Sequence, residues 1–369
     1  MISTADFAVI GAGVVGACIA YGLLKRGHSV IVLDGAKSDP RASGANFGLV
    51  WVQGKGTGIP AYQRLSRASA DRWNSFASEL ETLVDGATGA LALEQNGGLS
   101  FTFGEDGFEA RKQKLNRLHN ERGADGDDHE MIDRAQLQHL MPDFQLGPDV
   151  SGASFCGRDG CVNSLKLHML LLRAIEKLGG QIWFEATVRA IQNTNGTGWI
   201  LDTEKGQVST AHAIAAAGLG TKDMAAQLGL TVPVRPQRGQ ILVGQRMPKI
   251  MTLPASTLRQ TADGTFLFGA TEEEVGVDLS TSLWGARELA QHAAKISPAL
   301  RNTNILRHWS GLRVMTPDGA PIYDFAKTAS AAACHSGITL APIHSDVFVE
   351  HVLGDTAPST LDAFHPGRF

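Results

Sequence analysis

With 369 residues, the chain is long enough for two domains that each bury a substantial core. Its composition, 43% hydrophobic and 19% charged, is ordinary for a globular protein. The formal net charge of -4 gives no basic surface for nucleic acid or an anionic membrane, so neither is expected as a partner.

The first predicted elements form a β-α-β unit. Residues 7–10 are a short β-rich run, residues 14–26 have the pattern of a helix that ends at Gly27, and residues 29–33 form a second strand. Asp34 follows directly after that strand. This order of elements is typical of the opening of a dinucleotide-binding domain.

The glycines of this unit have the spacing G-x-G-x-x-G. Gly11 is expected to make the tight turn, Gly13 to let the backbone approach a pyrophosphate, and Gly16 to let helix and strand pack closely. Asp34 stands where a carboxylate accepts hydrogen bonds from ribose hydroxyls. A merely glycine-rich turn is the weaker interpretation, and the unit does not decide between NAD and FAD.

Residues 8–24 carry no charge, and this run falls just short of the length that crosses a membrane. Asp6 precedes it, no basic segment leads into it, and three glycines interrupt it. A membrane anchor or signal peptide is therefore the weaker interpretation, and a cytoplasmic location is the default expectation.

Residues 35–56 form a long segment of small and hydroxyl residues, and a loop of this length inside a compact domain is usually functional. Residues 62–80 then predict a helix with an aromatic face typical of a protein core. Residues 91–103 have strand character and residues 108–122 predict a charged helix. The acidic run at residues 123–130 is interpreted as a solvated loop, and no metal site is predicted.

Alternating helix and strand patterns return after Cys161. Asn163 or Ser164 is expected to cap a helix that runs to Leu178. Strand patterns follow at residues 181–184, 188–192, 199–203 and 208–215. The last of them ends in "AAAGLG", whose small side chains suggest a second place where the backbone lies close to the nucleotide.

A change of domain is predicted at residues 233–254, followed by strands near 240–243 and 265–269 and a helix at 283–296. Residues 334–354 then read as a strand, a glycine turn and an apolar helix, about 320 residues after the first glycine turn. An NAD domain is usually continuous, whereas a flavin domain interleaved with a substrate domain needs such late segments. This pattern favours FAD.

Arg313 lies in "HWSGLRVMTPDGAPIYD", a stretch with glycine and proline on its flanks that predicts a loop. A cation in such a loop needs a partner. A substrate carboxylate is the functional interpretation, and an ordinary surface ion pair is the alternative.

Seven segments together resemble the D-amino-acid oxidase superfamily of FAD enzymes, which includes glycine oxidase: "GAGVVG", "RASGANFG", "CVNSLKLHMLLLRAIEKLGG", "AAAGLG", "PQRGQ", "GLRVMTPDGAPIYD" and "HSGITLAP". "ANFGLVWVQGKG" and "CHSGITLAPIH" are most similar to the small FAD-carrying β subunit of opine dehydrogenases, D-hydroxyproline dehydrogenase and hydrogen cyanide synthase. The resemblance spans nearly the whole chain.

The fold that this resemblance implies is α/β, or α+β overall. A Rossmann-like FAD-binding domain, residues 1–84, 148–233 and 308–369, would be interleaved with a smaller substrate domain. That domain, residues 85–147 and 234–307, would be built on an antiparallel sheet.

The resemblance also implies the residues of the FAD site. Those around the pyrophosphate and adenosine are Gly11, Ala12, Gly13, Val15, Gly16, Asp34 and Val188. Those along the middle and the ring are Arg41, Ala42, Ser43, Asn46, Gly48, Leu49, Ala217 and Gly218. Those that close over the pyrimidine side are Gly337, Ile338, Thr339 and Leu340.

Arg313 and His335 are the candidate catalytic residues that the resemblance implies. Arg313 matches the arginine that receives the substrate carboxylate in glycine oxidase relatives. His335 stands where those relatives have a second arginine, so this site is less cationic and its substrate is expected to differ. Val314 and Met315 occupy the region where sarcosine oxidases attach flavin through cysteine, so FAD is expected to be bound non-covalently.

The expected activity is FAD-dependent oxidation of the carbon–nitrogen bond of an amino acid or opine-like secondary amine, with hydride transfer to flavin. The chain has neither an iron–sulfur cysteine cluster nor a second G-x-G-x-x-G, so partner subunits of a heteromeric dehydrogenase would carry further redox cofactors. A stand-alone oxidase that makes peroxide and a non-catalytic FAD-bearing subunit are the alternatives. The substrate side chain, its stereochemistry and the electron acceptor stay open.

Overall fold

The structure, a computed structural model, describes residues 2–36, 41–123, 129–354 and 360–369. Its strands are β1 (Ile2–Ile10), β2 (Val30–Leu33), β3 (Leu49–Val50), β4 (Gly98–Phe103), β5 (His129–Asp133), β6 (Val150–Cys156), β7 (Gly160–Cys161), β8 (Gln181–Trp183), β9 (Val188–Asn193), β10 (Trp199–Thr203), β11 (Gly206–Ala215), β12 (Arg235–Arg246), β13 (Leu258–Gln260), β14 (Thr265–Gly269), β15 (Ile305–Met315), β16 (Ile322–Ala326) and β17 (Ala329–Ala333). Its α-helices are α1 (Val14–Lys25), α2 (Ala42–Ala45), α3 (Pro60–Leu83), α4 (Gly104–Arg122), α5 (Arg134–Leu140), α6 (Ser164–Lys177), α7 (Thr221–Gln227), α8 (Leu283–Ile296), α9 (Ala341–Ser345) and α10 (Val347–Leu353).

β1 lies at the centre of the main sheet and is parallel to both of its neighbours, β2 and β11. The order is β16, β17, β11, β1, β2 and β8, and the hairpin of β9 and β10 continues antiparallel from β11. Side chains of β1 alternate between two cores, with Phe7 and Val9 in one and Ala8 and Ile10 in the other. The sheet is therefore buried on both faces, as parallel sheets usually are.

The uncharged run of residues 8–24 covers the end of β1 and most of α1, and nearly all of it is buried. Every residue of α1 from Gly16 to Leu24 is buried. α1 packs so closely on α9 that a Cβ at Gly22 would lie 2.0 Å from the carbonyl oxygen of Ser345. No helix in the described part of the chain is both long and apolar enough to cross a bilayer.

Two antiparallel sheets lie apart from the main one. β13, β14, β12 and β15 form one, and β4, β6 and β5 form the other. They share a core that includes Leu99 and Ala153 from the second sheet, Leu242 and Phe266 from the first, and Leu289 from α8. These sheets are built from residues 98–156 and 235–315, which agrees with the predicted fold class.

The predicted domain boundaries stay a prediction, and we propose one adjustment to them. β6 pairs with β4 and β5 along its length, and β15 pairs with β12 from end to end. β6 lies wholly within residues 148–233, and most of β15 lies within residues 308–369. Both ranges are predicted for the FAD-binding domain. Their pairing supports placing β6 and β15 with the antiparallel sheets.

The structure corrects the prediction that Arg313 lies in a loop. Arg313 is a residue of β15, directly opposite Gln237 of β12. The flanking glycine and proline are typical of loops, but pairing with a distant strand overrides that local preference.

The long segment at residues 35–56 also contains α2 and β3. Residues 37–40 of that segment, and 124–128 of the predicted acidic loop, lie outside the described residues.

Candidate functional site

The first glycine turn lies at the carboxyl ends of β1 and β2. Gly11 has a φ of +111°, and its N–H donates to the carbonyl of Leu33 at 2.8 Å. A Cβ at Gly11 would lie 2.4 Å from the carbonyl oxygen of Ala216, and a Cβ at Gly16 would lie 2.0 Å from the carbonyl oxygen of Gly11. Both positions therefore require glycine for the turn itself and for the packing of α1.

Gly13 differs from these two glycines, because its surroundings are open. A Cβ there would meet only the hydroxyl oxygen of Ser43, at 3.1 Å. Gly13 is the N-cap of α1, whose first turn contains no acidic residue. An N-terminus of this kind attracts phosphate through its free N–H groups and the helix dipole. The space beside Gly13 therefore fits a pyrophosphate.

Asp34 is buried at the end of β2, and its carboxylate accepts hydrogen bonds from the backbone N–H groups of Ala12, at 2.7 Å, and Ala36, at 2.9 Å. The guanidinium of Arg41 donates to both carboxylate oxygens. Burial by itself would raise the pKa of Asp34, but these hydrogen bonds outweigh it and hold the pKa below its ordinary value. The structure thus places Arg41 beside Asp34.

Replacing Asp34 with Asn should destabilise the flavin-free protein at neutral pH by about 1 to 3 kcal/mol, because a charged hydrogen-bonding partner of Arg41 is lost. The native pKa of Asp34 is lowered, so its contribution is complete above the unfolded value of about 4 and is lost as the pH falls through the native value. Thermal unfolding measured over a range of pH should therefore show that the stabilities of the variant and the parent converge in acid.

The control for this experiment is Asp85→Asn, which removes an exposed ion pair with Lys177. That variant should match the parent at every pH, since exposed ion pairs contribute little. A difference between the Asp34 variant and the parent that persists undiminished into acid would contradict the role of the Asp34 carboxylate.

Three distant segments meet the glycine turn. The Cα of Ala217 would lie 2.7 Å from a Cβ at Gly11, and a Cβ at Gly337 would lie 3.3 Å from the Cγ2 of Val15. Val188 begins β9 just after Ala186, whose N–H donates to the carbonyl of Asp34 at 2.9 Å. The structure therefore brings together residues predicted for the pyrophosphate, the adenine, the ribityl path and the pyrimidine.

The segment from Ala42 to Leu49 connects this turn to the antiparallel sheet. The hydroxyl of Ser43 accepts the N–H of Val14 at 2.9 Å, and the side-chain carbonyl of Asn46 accepts the N–H of Gly48 at 2.7 Å. The indole of Trp309 on β15 donates to the carbonyl of Ala45 at 3.2 Å. Residues predicted for the middle of the flavin thus lie between the nucleotide turn and the strand that carries Arg313.

The segment from Gly337 to Leu340 is held in place by hydrogen bonds that Thr339 accepts from α3 and from Trp51. The carbonyl of Thr339 accepts hydrogen bonds from the hydroxyl of Ser69, at 2.7 Å, and the indole of Trp73, at 3.2 Å. Its hydroxyl accepts the N–H of Trp51 at 3.1 Å. Ile338 and Leu340 are buried in the core on one face of the main sheet. This segment is therefore held rigidly by α3 and by residues that follow β3.

Arg313 has a largely buried side chain, 20% exposed, that crosses over Gly239 of β12. It donates to the amide oxygen of Gln237 at 2.9 Å, and its nearest ion pair, with exposed Glu272, is long at 3.7 Å. Burial lowers the pKa of Arg313, and the charge of Glu272 partly offsets that effect. A guanidinium with so weak a counterion suits a carboxylate from a ligand.

His335 lies in the segment between β17 and α9, and it is exposed to solvent. Desolvation by the surrounding residues lowers the pKa of His335 to about 3, and the positive charges of Lys55 and Arg313 act in the same direction. The imidazole is therefore neutral at physiological pH, and it is a weak base.

The pH profile of substrate-driven flavin reduction should accordingly contain no ionisation of His335 between about pH 5 and 9. The lowered pKa means that this side chain gains a proton only in strong acid. Stopped-flow reduction rates for the parent and His335→Gln should give pH profiles of the same shape. An acidic limb near pH 6.5, the ordinary histidine value, that disappears in the variant would contradict this result.

Sequence reasoning missed three residues of the site. Gln237 binds Arg313, and the ring nitrogen of His168 on α6 lies 2.6 Å from the carbonyl oxygen of Ala12 in the glycine turn. Lys55 donates to the hydroxyls of two residues close to His335. A lone lysine in the apolar, glycine-rich "VWVQGKG" was the available signal for Lys55. Among the described residues, no group of His, Cys, Asp and Glu could hold a metal ion.

Comparison with known proteins agrees with this arrangement. The model of the FAD dependent oxidoreductase family matches residues 6–351. The chain is 37% identical over 367 residues to an opine oxidase subunit of Agrobacterium tumefaciens (strain Ach5), covering 99% of this chain and 97% of that protein. It is 36% identical, with the same coverage, to the corresponding opine oxidase subunit of Rhizobium meliloti. The crystal structure of glycine oxidase from Geobacillus kaustophilus shares the fold, with a TM-score of 0.89, 23% identity and coverage of 100% and 99% of the two chains.

These matches confirm the resemblance to the D-amino-acid oxidase superfamily and to its opine-related members. The family match also confirms the predicted cofactor, FAD, and its non-covalent attachment stays a prediction. The residues present fit that cofactor, because the open space at Gly13 and the N-terminus of α1 suit its pyrophosphate. The chain belongs to the FAD dependent oxidoreductase family.

Proposed function

We propose that this protein oxidises the carbon–nitrogen bond of an amino acid or opine-like secondary amine, as one subunit of a heteromeric dehydrogenase. The observation that carries the proposal is Arg313, a largely buried guanidinium bonded to a neutral amide and paired only loosely with Glu272. A substrate carboxylate would complete its hydrogen bonds. The similarity to two proteins named as opine oxidase subunits supports both the substrate class and the subunit role.

In this proposal, Arg313 holds the substrate carboxylate through its two-pronged guanidinium and so orients the carbon next to the amine. The glycine turn and the N-terminus of α1 would hold FAD, and the chemistry that FAD would supply is acceptance of hydride from that carbon. Gln237 fixes the Arg313 side chain from the neighbouring strand. His335, neutral and weakly basic, lines the site and takes no proton from a substrate amine that binds uncharged.

Exposed apolar residues support the presence of a partner subunit. Five large apolar side chains that solvent reaches occur in the single segment 275–284, which leads into α8: Val275, Val277, Leu279, Leu283 and Trp284. Leu283 is 91% exposed and Trp284 is 57% exposed. A concentration of this kind is typical of a protein–protein contact surface.

Anaerobic bleaching of the flavin tests the activity. Opines, D-amino acids, proline analogues and glycine are each added without oxygen, and the loss of flavin absorbance is followed. We expect at least one secondary-amine acid to bleach the flavin. If none of them does so, the proposal is overturned and the alternative of a non-catalytic FAD-bearing subunit is favoured.

Peroxide formation separates a dehydrogenase from a stand-alone oxidase. The chain is expressed alone, and peroxide is measured during turnover with a substrate that bleaches the flavin. We expect slow reoxidation by oxygen, accelerated by a dye acceptor or a co-expressed partner. Rapid, stoichiometric peroxide from the isolated chain would instead identify an oxidase.

A further inference from the structure

The proposed mechanism leaves a pair of cations on α4 unused. Arg111 and Lys114 have the spacing i and i+3, so their side chains lie on the same face of this helix. Gly54, in the segment between β3 and α3, lies beside both of them. A Cβ at Gly54 would lie 3.2 Å from Nη1 of Arg111 and 3.9 Å from Nζ of Lys114. The two positive charges therefore border one point in space.

Two buried polar side chains hold Arg111 in place. Its Nε donates to the hydroxyl of Ser154 at 2.8 Å, and its Nη2 donates to the amide oxygen of Gln53 at 2.8 Å. Ser154 and Gln53 are 0% and 3% exposed, and the hydroxyl of Ser154 donates to the same amide oxygen at 2.6 Å. The guanidinium is thus fixed in orientation, and Nη1 is its nitrogen nearest to the space beside Gly54.

Among the residues that the structure describes, no carboxylate lies within ion-pair distance of Arg111 or Lys114, and Nη1 and Nζ form no hydrogen bond. Asp159 is the acid whose charge acts most on Arg111, but its buried carboxylate accepts the N–H of Val52 at 2.5 Å. Desolvation lowers the pKa of both cations, and the charge of Arg111 lowers the pKa of Lys114 further. Two like charges this close repel each other, which points to an anion supplied by a ligand.

The space beside Gly54 is bordered by cationic nitrogens. Apart from its chain neighbours, the three heavy atoms nearest to a Cβ at this position are two nitrogens of Arg111 and one of Lys114. Gly54 has a φ of +80°, which favours glycine, so no side chain of this residue fills the space. An anion there would meet two donors of opposite charge from one side.

We propose that Arg111 and Lys114 form a phosphate-binding site beside Gly54. The planar guanidinium binds oxygens of the phosphate in a fixed orientation, and the ammonium of Lys114 adds a second charge. A phosphate monoester carries close to two negative charges at neutral pH, so it matches two cations better than a carboxylate does. The site uses none of the residues assigned to FAD or to the substrate, and it does not rest on the proposed function.

The test measures phosphate binding to the FAD-loaded protein, in which FAD fills the space proposed for its pyrophosphate. Inorganic phosphate and ribose 5-phosphate are titrated calorimetrically at pH 7.5, with sodium chloride holding the ionic strength constant. Lys114→Met should weaken the binding roughly tenfold or more, the scale of one charged hydrogen bond, and Lys114→Arg should retain most of it. Tighter binding of ribose 5-phosphate supports a site for an organic phosphate, and tighter binding of inorganic phosphate supports a site for the free ion.

Lys112→Met is the matched control, because Lys112 is an exposed lysine of the same helix whose ammonium lies 3.8 Å from Glu109. It should leave phosphate affinity unchanged. Lys114 is exposed, so its replacement should not impair folding, and thermal unfolding verifies this for each variant. Arg111→Lys, which loses the planar fork, should also weaken binding. A parent that binds neither phosphate, or binding that the Lys114 and Lys112 variants change equally or not at all, overturns the proposal.

Discussion

Replacing Arg313 with Lys should weaken substrate capture by about 1.5 to 3 kcal/mol, roughly ten- to hundredfold, without changing flavin content. The variant keeps the positive charge but loses the planar fork that binds both oxygens of a carboxylate. Lysine also cannot reproduce the hydrogen bond to Gln237 together with a bidentate contact. The measurement is the rate of anaerobic flavin reduction at low substrate concentration, where capture limits the rate.

Arg235→Lys is the control for this prediction. Arg235 lies on β12 in an exposed ion pair with Glu274, so the same chemical change there should have little effect. If Arg313→Lys reduces its flavin as efficiently as the parent, Arg313 does not bind the substrate carboxylate and its role is structural.

Replacing Gly13 with Ala should leave the fold intact but lower FAD affinity by roughly tenfold or more, about 1.4 kcal/mol. The new methyl group would meet only the rotatable hydroxyl of Ser43, so the flavin-free protein has room for it. It would occupy the space that fits the pyrophosphate, and the backbone could no longer approach that group. FAD affinity is measured by titrating the flavin-free protein and following protein fluorescence.

Two further glycine variants make this result specific. Gly27→Ala places a methyl group in open space but at a φ of +85°, so it should cost about 1 kcal/mol of stability and leave FAD affinity unchanged. Gly16→Ala would overlap the carbonyl of Gly11 and should impair folding itself. If Gly13→Ala binds FAD as tightly as the parent, the pyrophosphate does not pass beside Gly13.

Local sequence patterns were sufficient for the elements that depend on neighbouring residues. The glycine spacing, the uncharged helix and Asp34 predicted the nucleotide half of the site, since each step of a β-α-β unit is fixed within about thirty residues. The helix that begins after Asn163 could also be predicted, because its cap is local: the Asn163 side chain accepts the N–H of Lys166 at 3.1 Å. The resemblance to FAD enzymes, which the family match confirmed, added the cofactor.

Only the tertiary structure decided which distant residues meet. Arg313 belongs to a strand because β12 pairs with β15, a contact that no local pattern around Arg313 contains. Lys55 and Ser336 are 281 residues apart in sequence, yet they share a hydrogen bond of 2.7 Å. Such contacts depend on how the cores of the sheets pack, and the free energy of that packing is shared by residues from the whole chain. The sequence therefore determined the glycine turn and the cofactor, while the packing of the sheets determined where Arg313 and Lys55 lie.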